Sequence, residues 1–325
     1  MKWLTDSWYK PSVIPWLLSP LSLIYCLLIR LRKLAYHIDL FKQHKITVPI
    51  IIVGNISVGG TGKTPFVIWL AQQLKQAGFQ PGIISRGYGG KAEHYPANVT
   101  ANSVPKQVGD EPLIISRHTD CPMVVAPNRV TAAQHLLTHY DCNIIIADDG
   151  LQHLALARDI EIVIVDSERQ FGNKFCLPSG PLREPISRLN HIDYLVYNGD
   201  SASDNITMQL TQGDAINLAD PTQSKPLSYF KHQTVHAVAG IGNPMRFFDQ
   251  LDSQDIDIIA HPFADHHQFQ SHDLDFTNPQ TPILMTEKDA VKCQDFAQEN
   301  MWYIPIQATI SGKLKQNILN QLAEL

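Results

Sequence analysis

Residues 50–74 read IIIVGNISVGGTGKTPFVIWLAQQL, and this stretch decides the fold. Its apolar start predicts a buried strand of a parallel sheet. A loop of glycines and small residues follows, and Pro65 then stands in the first turn of a predicted helix, where a missing N–H costs little. Apolar residues recur on one face of that helix. The order of strand, glycine loop and helix predicts an α/β fold.

The glycine loop is typical of a phosphate-binding P-loop. In such a loop backbone N–H groups hold phosphate oxygens, the lysine reaches the β- and γ-phosphates, and the threonine hydroxyl binds Mg²⁺. Ser57 stands where the consensus G-x-x-x-x-G-K-[ST] has its first glycine, and an ordinary turn that contains GKT is the alternative interpretation. The predicted nucleotide-binding residues of the loop are Gly59, Gly60, Thr61, Gly62, Lys63 and Thr64.

Composition restricts the class of protein. A chain of 325 residues holds roughly two domains. The formal net charge of −5 argues against general nucleic-acid binding. The 5 cysteines lie far apart without paired spacing, which fits a reducing compartment and favours neither a zinc site nor a disulfide framework.

An uncharged apolar run near the start predicts membrane association. Residues 13–29 read VIPWLLSPLSLIYCLLI, and a basic cluster follows at residues 30–33. A helix of that length measures about 26 Å, short of the roughly 30 Å of a bilayer core. Pro15 and Pro20 are expected to shorten its regular part further. We expect a helix that spans shallowly or lies in the interface, with the basic cluster on the cytoplasmic side. A buried core helix and a cleaved signal peptide are the alternatives.

A second segment predicts a magnesium site. Residues 143–147 form an apolar strand that ends in Asp148 and Asp149, the arrangement that supplies a carboxylate to Mg²⁺ beside a P-loop. The predicted metal ligands are therefore Thr64 and this acidic pair. A plain turn after the strand is the alternative.

Two arginines are placed to meet phosphate charge. Arg86 lies in the glycine-rich turn SRGYGG, after a short strand, where open α/β sheets bind ligands. Arg183 lies in LPSGPLREP, residues 177–185, and could act as an internal arginine finger if the loop folds inward.

The chain divides into three predicted parts. Residues 1–45 form the membrane-associated segment, 46–225 a P-loop domain with a hairpin at 206–218 near its end, and 226–325 a second, smaller α/β domain with a closing helix. Residues 91–107 show no periodicity and are predicted to be a loop. The predicted fold is P-loop NTPase-like, three-layer α/β/α, with two domains of largely parallel sheets and an N-terminal membrane-associated helix.

Seven motifs together resemble one enzyme family. They are VGNISVGGTGKTP, SRGYGG, GDEP, ADDGLQH, SGPLREP, FADHH and TEKDAVK, and they resemble, in this order, the motifs of tetraacyldisaccharide 4′-kinase. The resemblance implies ATP and Mg²⁺ as co-reactants, and the 4′-hydroxyl of a tetraacylated glucosamine disaccharide 1-phosphate as acceptor. It places the enzyme at the cytoplasmic face of the inner membrane. It also implies two α/β/α domains joined by a two-stranded linker. No obligate protein partner is evident.

The resemblance also implies the catalytic residues. The family's GDE aspartate falls on Asp110 and its FADH histidine on His266, which would together activate the acceptor hydroxyl. A carboxylate bonded to an imidazole makes a stronger and better oriented base. His267 stands next door as the alternative imidazole. Lys63 and Arg183 complete the predicted catalytic set.

Two other classes of protein remain as alternatives. A membrane-tethered P-loop ATPase or GTPase could act as a switch, since TEKD superficially resembles the guanine-reading NKxD, with Glu287 in place of the asparagine. Such a switch should hydrolyse nucleotide without an acceptor. A non-enzymatic lipid-binding protein with a degenerate P-loop is disfavoured by the intact GKT and acidic pair.

Overall fold

The computed structural model describes residues 2–202, 205–276, 278 and 280–325. Helices and strands alternate through most of these residues. The helices are α1 Lys2–Ser7, α2 Ile14–His37, α3 Lys63–Gln76, α4 Pro105–Val108, α5 Asp110–Thr119, α6 Arg129–His139, α7 Pro244–Asp252, α8 Glu287–Cys293 and α9 Leu314–Ala323. The strands are β1 Ile50–Gly54, β2 Pro81–Ser85, β3 Ala97–Val99, β4 Met123–Val125, β5 Ile144–Asp148, β6 Ile160–Asp166, β7 Tyr194–Asn198, β8 Ile206–Gln212, β9 Ala215–Asn217, β10 Ser224–Lys225, β11 Thr234–Ala239, β12 Asp257–Pro262, β13 Ile283–Thr286, β14 Met301–Ile304 and β15 Ile306–Ile310.

The strands form two sheets. The first runs β15-β8-β7-β6-β1-β5-β2-β4-β3 in the described part of the chain, parallel except for its two edge strands. The second runs β10-β9-β14-β13-β11-β12, with its central strands parallel. β1 lies between β5 and β6, so the glycine loop that follows β1 is adjacent to the acidic pair that follows β5. The predicted α/β fold with largely parallel sheets is confirmed.

Each face of the first sheet carries its own core. Ile51 and Val53 of β1 pack with residues of α3, α5 and α9. Ile50 and Ile52 point to the other face and pack with α6, while Tyr25 of α2 covers part of that core. This alternation produces the three-layer α/β/α arrangement, because both faces of a parallel sheet must be buried.

Three local predictions are wrong. Residues 206–218 are no hairpin: β8 pairs with β7 and β15 in the first sheet, whereas β9 pairs with β10 and β14 in the second. Residues 91–107 contain β3 and the start of α4. Pro20 does not interrupt α2, which is continuous over 24 residues.

The chain returns to the first sheet at its end. β15 pairs antiparallel with β8, so that Ile306 lies opposite Gln212, and Leu314 and Ile318 of α9 join the first sheet's core. The predicted boundary at residue 225 assigns the closing helix α9 to the second domain. In the structure α9 packs on the first sheet instead. We propose instead that residues 214–305 form the second domain, inserted between β8 and β15.

Candidate active site

The glycine loop at 59–62 has the backbone of a ligand cradle. Gly62 precedes α3 with a φ of 91°, and a Cβ there would lie 2.8 Å from the Asn198 amide nitrogen and 2.8 Å from the Met208 methyl group. Only glycine fits without strain. A Cβ at Gly60 would meet no atom within 4 Å, so the loop opens to free space at that point. Because the first N–H groups of a helix have no partner within it, the start of α3 can offer them to a ligand at this opening.

Ser57 does not disturb this loop. Its segment forms an antiparallel bridge with Leu182, and the N–H of Val58 donates to the carbonyl of Pro181 at 2.8 Å. Among the loop residues, Gly59 and Gly62 have positive φ and Ser57 does not. A side chain is therefore tolerated at 57, and the departure from the consensus leaves the loop intact.

Lys63, Asp149 and Arg183 form a charged triad at the loop. The Lys63 ammonium lies 3.5 Å from Asp149, and the Arg183 guanidinium donates to both carboxylate oxygens at 3.0 and 3.2 Å. Burial acts to raise the pKa of Asp149, but the two cations outweigh it and hold that pKa below its ordinary value. The loop of Arg183 folds inward, which the sequence left open, because the Arg183 N–H donates to the carbonyl of Ile56, just before the glycine loop, at 2.6 Å.

The neighbouring Asp148 is in a different environment. It is buried, and one carboxylate oxygen accepts from the Ser85 hydroxyl at 3.0 Å while the other has no hydrogen-bond partner. Burial, with the charges of Glu111 and Asp149 adding to it, raises the pKa of Asp148 to about 7. An unpaired oxygen on a buried carboxylate beside a P-loop fits a cation ligand.

The set that could hold a metal is small. Thr64 is the second residue of α3 and is half-buried. It follows the loop after β1, and β1 pairs with β5, the strand that ends in Asp148. No group of three or more His, Cys, Asp or Glu side chains suited to a metal occurs in the described ranges. That pattern fits Mg²⁺ in a nucleotide site, which takes one or two protein ligands and completes its shell with phosphate and water.

Asp110 and His266 meet across the two sheets. Asp110 begins α5 on the first sheet, and His266 follows β12 on the second, yet Nδ1 of His266 lies 3.5 Å from Oδ2 of Asp110. The Tyr88 ring packs edge-on against the imidazole at a centroid distance of 5.3 Å. His267 is occupied elsewhere, since its Nε2 lies 3.0 Å from the Asp273 carboxylate. The geometry therefore favours His266 over its neighbour.

Close backbone packing fixes Asp110 beside the SRGYGG turn. Gly109 has a φ of 93°, and a Cβ there would lie 2.7 Å from the Tyr88 carbonyl oxygen. Gly90 is equally tight against residues 107–109. Arg86 is exposed at the end of β2, and its charge helps to lower the pKa of the buried Arg129.

Comparisons with known proteins agree on one family. The family model described as tetraacyldisaccharide-1-P 4′-kinase matches residues 14–323. This chain belongs to that family. The tetraacyldisaccharide 4′-kinase of Nitrosococcus oceani is 50% identical over 317 residues, with 98% of this chain and 93% of that protein covered. That of Methylobacillus flagellatus is 52% identical over 326 residues, with 100% and 97% covered.

A solved structure agrees with these relatives. The crystal structure of LpxK from Aquifex aeolicus in complex with ATP has a TM-score of 0.80 to this chain at 28% sequence identity. It covers 95% of this chain and 99% of its own. The resemblance seen in the motifs is confirmed over nearly the whole length.

This kinase-family site contains two buried charges that sequence reasoning missed. Arg129 opens α6 and donates to the backbone carbonyls of Ala126, Asp148 and Asp149 at 3.0 to 3.5 Å, so it holds the acidic turn from behind. Burial lowers its pKa to about 10. Asn128, directly before it, caps α6: its side-chain oxygen accepts from the Val130 N–H at 2.9 Å.

Glu184 is the second missed residue. It is buried beside Arg183, accepts from Gln152 at 2.8 Å, and pairs with Lys33 of α2 at 2.5 Å. The acidic residue next to the arginine in LREP was the available signal. It links the loop of Arg183 to the N-terminal helix.

Proposed function

We propose that this chain transfers the γ-phosphoryl group of ATP to the 4′-hydroxyl of a tetraacylated glucosamine disaccharide 1-phosphate. Family membership carries the reaction class. The observation that carries the mechanism is the Asp110–His266 pair, in which one residue from each sheet meets within 3.5 Å close to a P-loop. A cleft assembled from both domains can hold a nucleotide on one side and a sugar hydroxyl on the other.

The nucleotide is proposed to bind at the glycine loop. The backbone N–H groups of residues 59–64 would hold the phosphate oxygens, as at other helix N-termini. Lys63 would exchange part of its contact with Asp149 for the β- and γ-phosphates, and Arg183 would meet the charge that develops on the transferred group. Both cations already lie within 3.5 Å of a carboxylate, so the site is poised for a second anion. Arg86 is proposed to extend this positive surface.

Asp148 and Thr64 are proposed to hold Mg²⁺, with Asp149 close by. When bound there, Mg²⁺ would neutralise phosphate charge. The unpartnered oxygen of Asp148 supports this assignment, because no hydrogen-bond donor in the described part of the chain reaches it. Asp149, held by Lys63 and Arg183, serves mainly to place those two cations.

The acceptor hydroxyl is proposed to be activated by Asp110 and His266 together. The imidazole would take the proton from the 4′-hydroxyl, and the carboxylate would orient the ring and stabilise its charged form. Their separation is slightly beyond hydrogen-bond length, and small further closure would bring them into contact.

The acceptor explains a membrane site for the enzyme. Four acyl chains leave a bilayer only at a cost of about 0.8 kcal/mol per CH₂ group. α2 is long and apolar enough to cross a bilayer, yet it lies along the protein: Trp16 packs on Phe175, Ser22 donates to the Cys176 carbonyl at 2.8 Å, and Tyr25 donates to that of Arg183 at 3.0 Å. Because these contacts run along the helix, we propose that α2 lies in the interface on the cytoplasmic face of the inner membrane.

The test is phosphoryl transfer to a defined acceptor. The purified full-length protein is incubated with γ-labelled ATP and Mg²⁺, with and without tetraacyldisaccharide 1-phosphate in mixed micelles. We expect label in the 4′-phosphate of the lipid, and loss of transfer in Lys63→Ala with the fold preserved. Rapid hydrolysis of ATP or GTP without any acceptor would favour the switch alternative.

A further inference from the structure

The segment Thr286–Asp289, with sequence TEKD, has no part in the proposed chemistry, although the sequence drew attention to it. It lies at the junction of β13 and α8, and α8 packs against α5 of the first sheet. We infer that TEKD is a positioning motif that sets His266 against Asp110. This inference rests on the proposed role of that pair and adds three residues that act through it.

Asp289 anchors the backbone that carries His266. Its side chain is fully buried, with one oxygen accepting from the Gly240 N–H at 2.9 Å and from the Thr286 hydroxyl at 2.6 Å, and the other pairing with Lys292 at 2.8 Å. The carbonyl of the same Gly240 accepts from the His266 N–H at 3.3 Å. His266 has a φ of 60°, a left-handed conformation that is uncommon outside glycine, so the hydrogen bond to Gly240 helps to hold it.

Lys288 links the two neighbours of the catalytic pair. Its ammonium donates to Glu111 at 3.0 Å and lies 3.9 Å from Asp265. Glu111 directly follows Asp110, and Asp265 directly precedes His266. One cation therefore attracts both segments toward each other, and its pKa is raised by Glu111 and Asp265 in spite of burial.

Glu287 makes a second contact between the sheets. Its carboxylate lies 2.7 Å from Nε2 of His118 at the far end of α5. Two contacts from consecutive residues of one helix fix the direction of that helix as well as its distance. The orientation of α8 against α5, and with it the place of His266, is thereby determined.

The same contacts remove the guanine-reading interpretation of TEKD. In that interpretation the aspartate must face a base, but both oxygens of Asp289 are engaged inside the protein and its side chain has no exposed surface. Asp289 of the motif therefore bonds only within its own domain, while Glu287 and Lys288 contact α5 of the first sheet.

The test is a mutant cycle between Lys288 and His266 in the full-length protein. Lys288→Met should lower kcat by roughly 10- to 100-fold, the effect expected from misplacing a reacting group by about 1 Å, with little change in KM for ATP. Lys288→Arg should recover most of the loss. In a His266→Ala background, Lys288→Met should reduce kcat by less than about twofold, since the residue acts through the imidazole. Lys231→Met, which breaks an exposed ion pair with Asp255 within the second sheet's domain, is the matched control and should be neutral.

Several results would overturn the inference. Full activity of Lys288→Met, or the same fold-loss with and without His266, would show that Lys288 does not act through the imidazole. Lys288→Met also leaves the Glu111 carboxylate unpaired. The double variant Lys288→Met, Glu111→Gln removes that charge and is measured both with His266 and with His266→Ala. An equal fold-loss of kcat with and without His266 would contradict the inference. A His266→Ala enzyme near full activity would instead contradict the proposed role of the Asp110–His266 pair. The two failures are distinguishable, because this one is measured on His266→Ala alone and the other on the Lys288 variants.

Discussion

Asp110 and His266 are far apart in the chain and lie on different sheets, yet they meet at 3.5 Å, and we propose that they act as one base. We expect either alanine substitution to lower kcat by roughly 10²–10⁴-fold, the usual worth of general base catalysis. The double variant should cost little more than the worse single one, because residues that act as a unit are not additive. The measurement is a double-mutant cycle on kcat, with ATP binding followed separately.

His267 supplies the control for that cycle. It bonds Asp273 within its own turn, so His267→Ala should keep most of the turnover. If the losses at Asp110 and His266 simply add, the pair does not work as one base.

Asp148 gives a prediction that combines stability and pH. Its pKa of about 7 in the folded protein lies well above the ordinary 3.8, so the folded state holds the proton more tightly than the unfolded state. The free energy of unfolding of the nucleotide-free protein should therefore fall as pH rises from about 4 to about 7. Asp148→Asn should abolish transfer yet stabilise the protein above pH 7, by at most about 4 kcal/mol.

Asp149→Asn is the matched comparison, measured by the same unfolding titrations. Its carboxylate compensates Lys63 and Arg183, so its loss should destabilise the protein at neutral pH. The opposite signs of the two variants are the expected result. An Asp148→Asn protein that is less stable than wild type at pH 8 would contradict the assignment of an unpaired buried carboxylate.

Which residues could be read from the sequence depends on how local their signal is. Lys63 and Thr64 open α3 and Asp148 ends β5, each within a recognisable sequence pattern, so their position and chemistry were both predictable. Arg129 serves the same site, but its guanidinium reaches the carbonyl of Asp148 only because α6 packs against β2 and β4. No spacing in the sequence carries that information.

At the scale of elements, α2 combines two surfaces. Its basic and polar side chains contact the loop of Arg183, while an apolar stripe stays exposed at positions three and four residues apart. Such a stripe fits the proposed placement of α2 along the membrane surface. The stripe consists of Leu17, Leu21, Ile24, Leu28 and Leu31.

We expect Leu17→Asp with Leu28→Asp to release the protein from vesicles, since it places charge in the apolar stripe without touching the contacts to the loop. Turnover should fall on the long-chain acceptor and stay near wild type on a short-chain soluble analogue. Flotation with vesicles and parallel assays measure both. Met245→Asp, on the exposed side of α7, is the control. Unchanged flotation would exclude the stripe as the membrane contact.

Elements also show where pattern reading fails. The sequence predicts both strands of residues 206–218 but pairs them with each other, because consecutive strands are usually neighbours in a sheet. Their true partners include β15 and β14, close to a hundred residues further on. Pro20 was expected to limit α2, yet the helix continues because its tertiary contacts outweigh one missing hydrogen bond.

At the scale of the whole molecule, the contact between the sheets is sensitive to pH. The hydrogen bond to Glu287 raises the pKa of His118 above 6.5, against the opposing effects of burial and Arg117. The contribution of this ion pair is complete below pH 6.5 and is lost as pH rises through the raised value. We expect Glu287→Gln to lower the free energy of unfolding by up to about 1 kcal/mol at pH 6. At pH 8.5 the loss should be smaller, because His118 is then neutral in the wild type as well. Unfolding titrations at both pH values measure this difference. In a His118→Asn background, the effect of Glu287→Gln should be the same at both pH values.

The return of the chain to the first sheet has a consequence for synthesis on the ribosome. Strands β9 to β14 are contiguous in sequence, so the second sheet has all of its strands once residue 304 has emerged. The first sheet still lacks β15 and α9 at that moment, although most of it was made earlier. The edge of β8 and the core face that α9 covers then remain open, which is where a nascent chain is vulnerable to aggregation. The P-loop half of the enzyme is thus begun first and finished last.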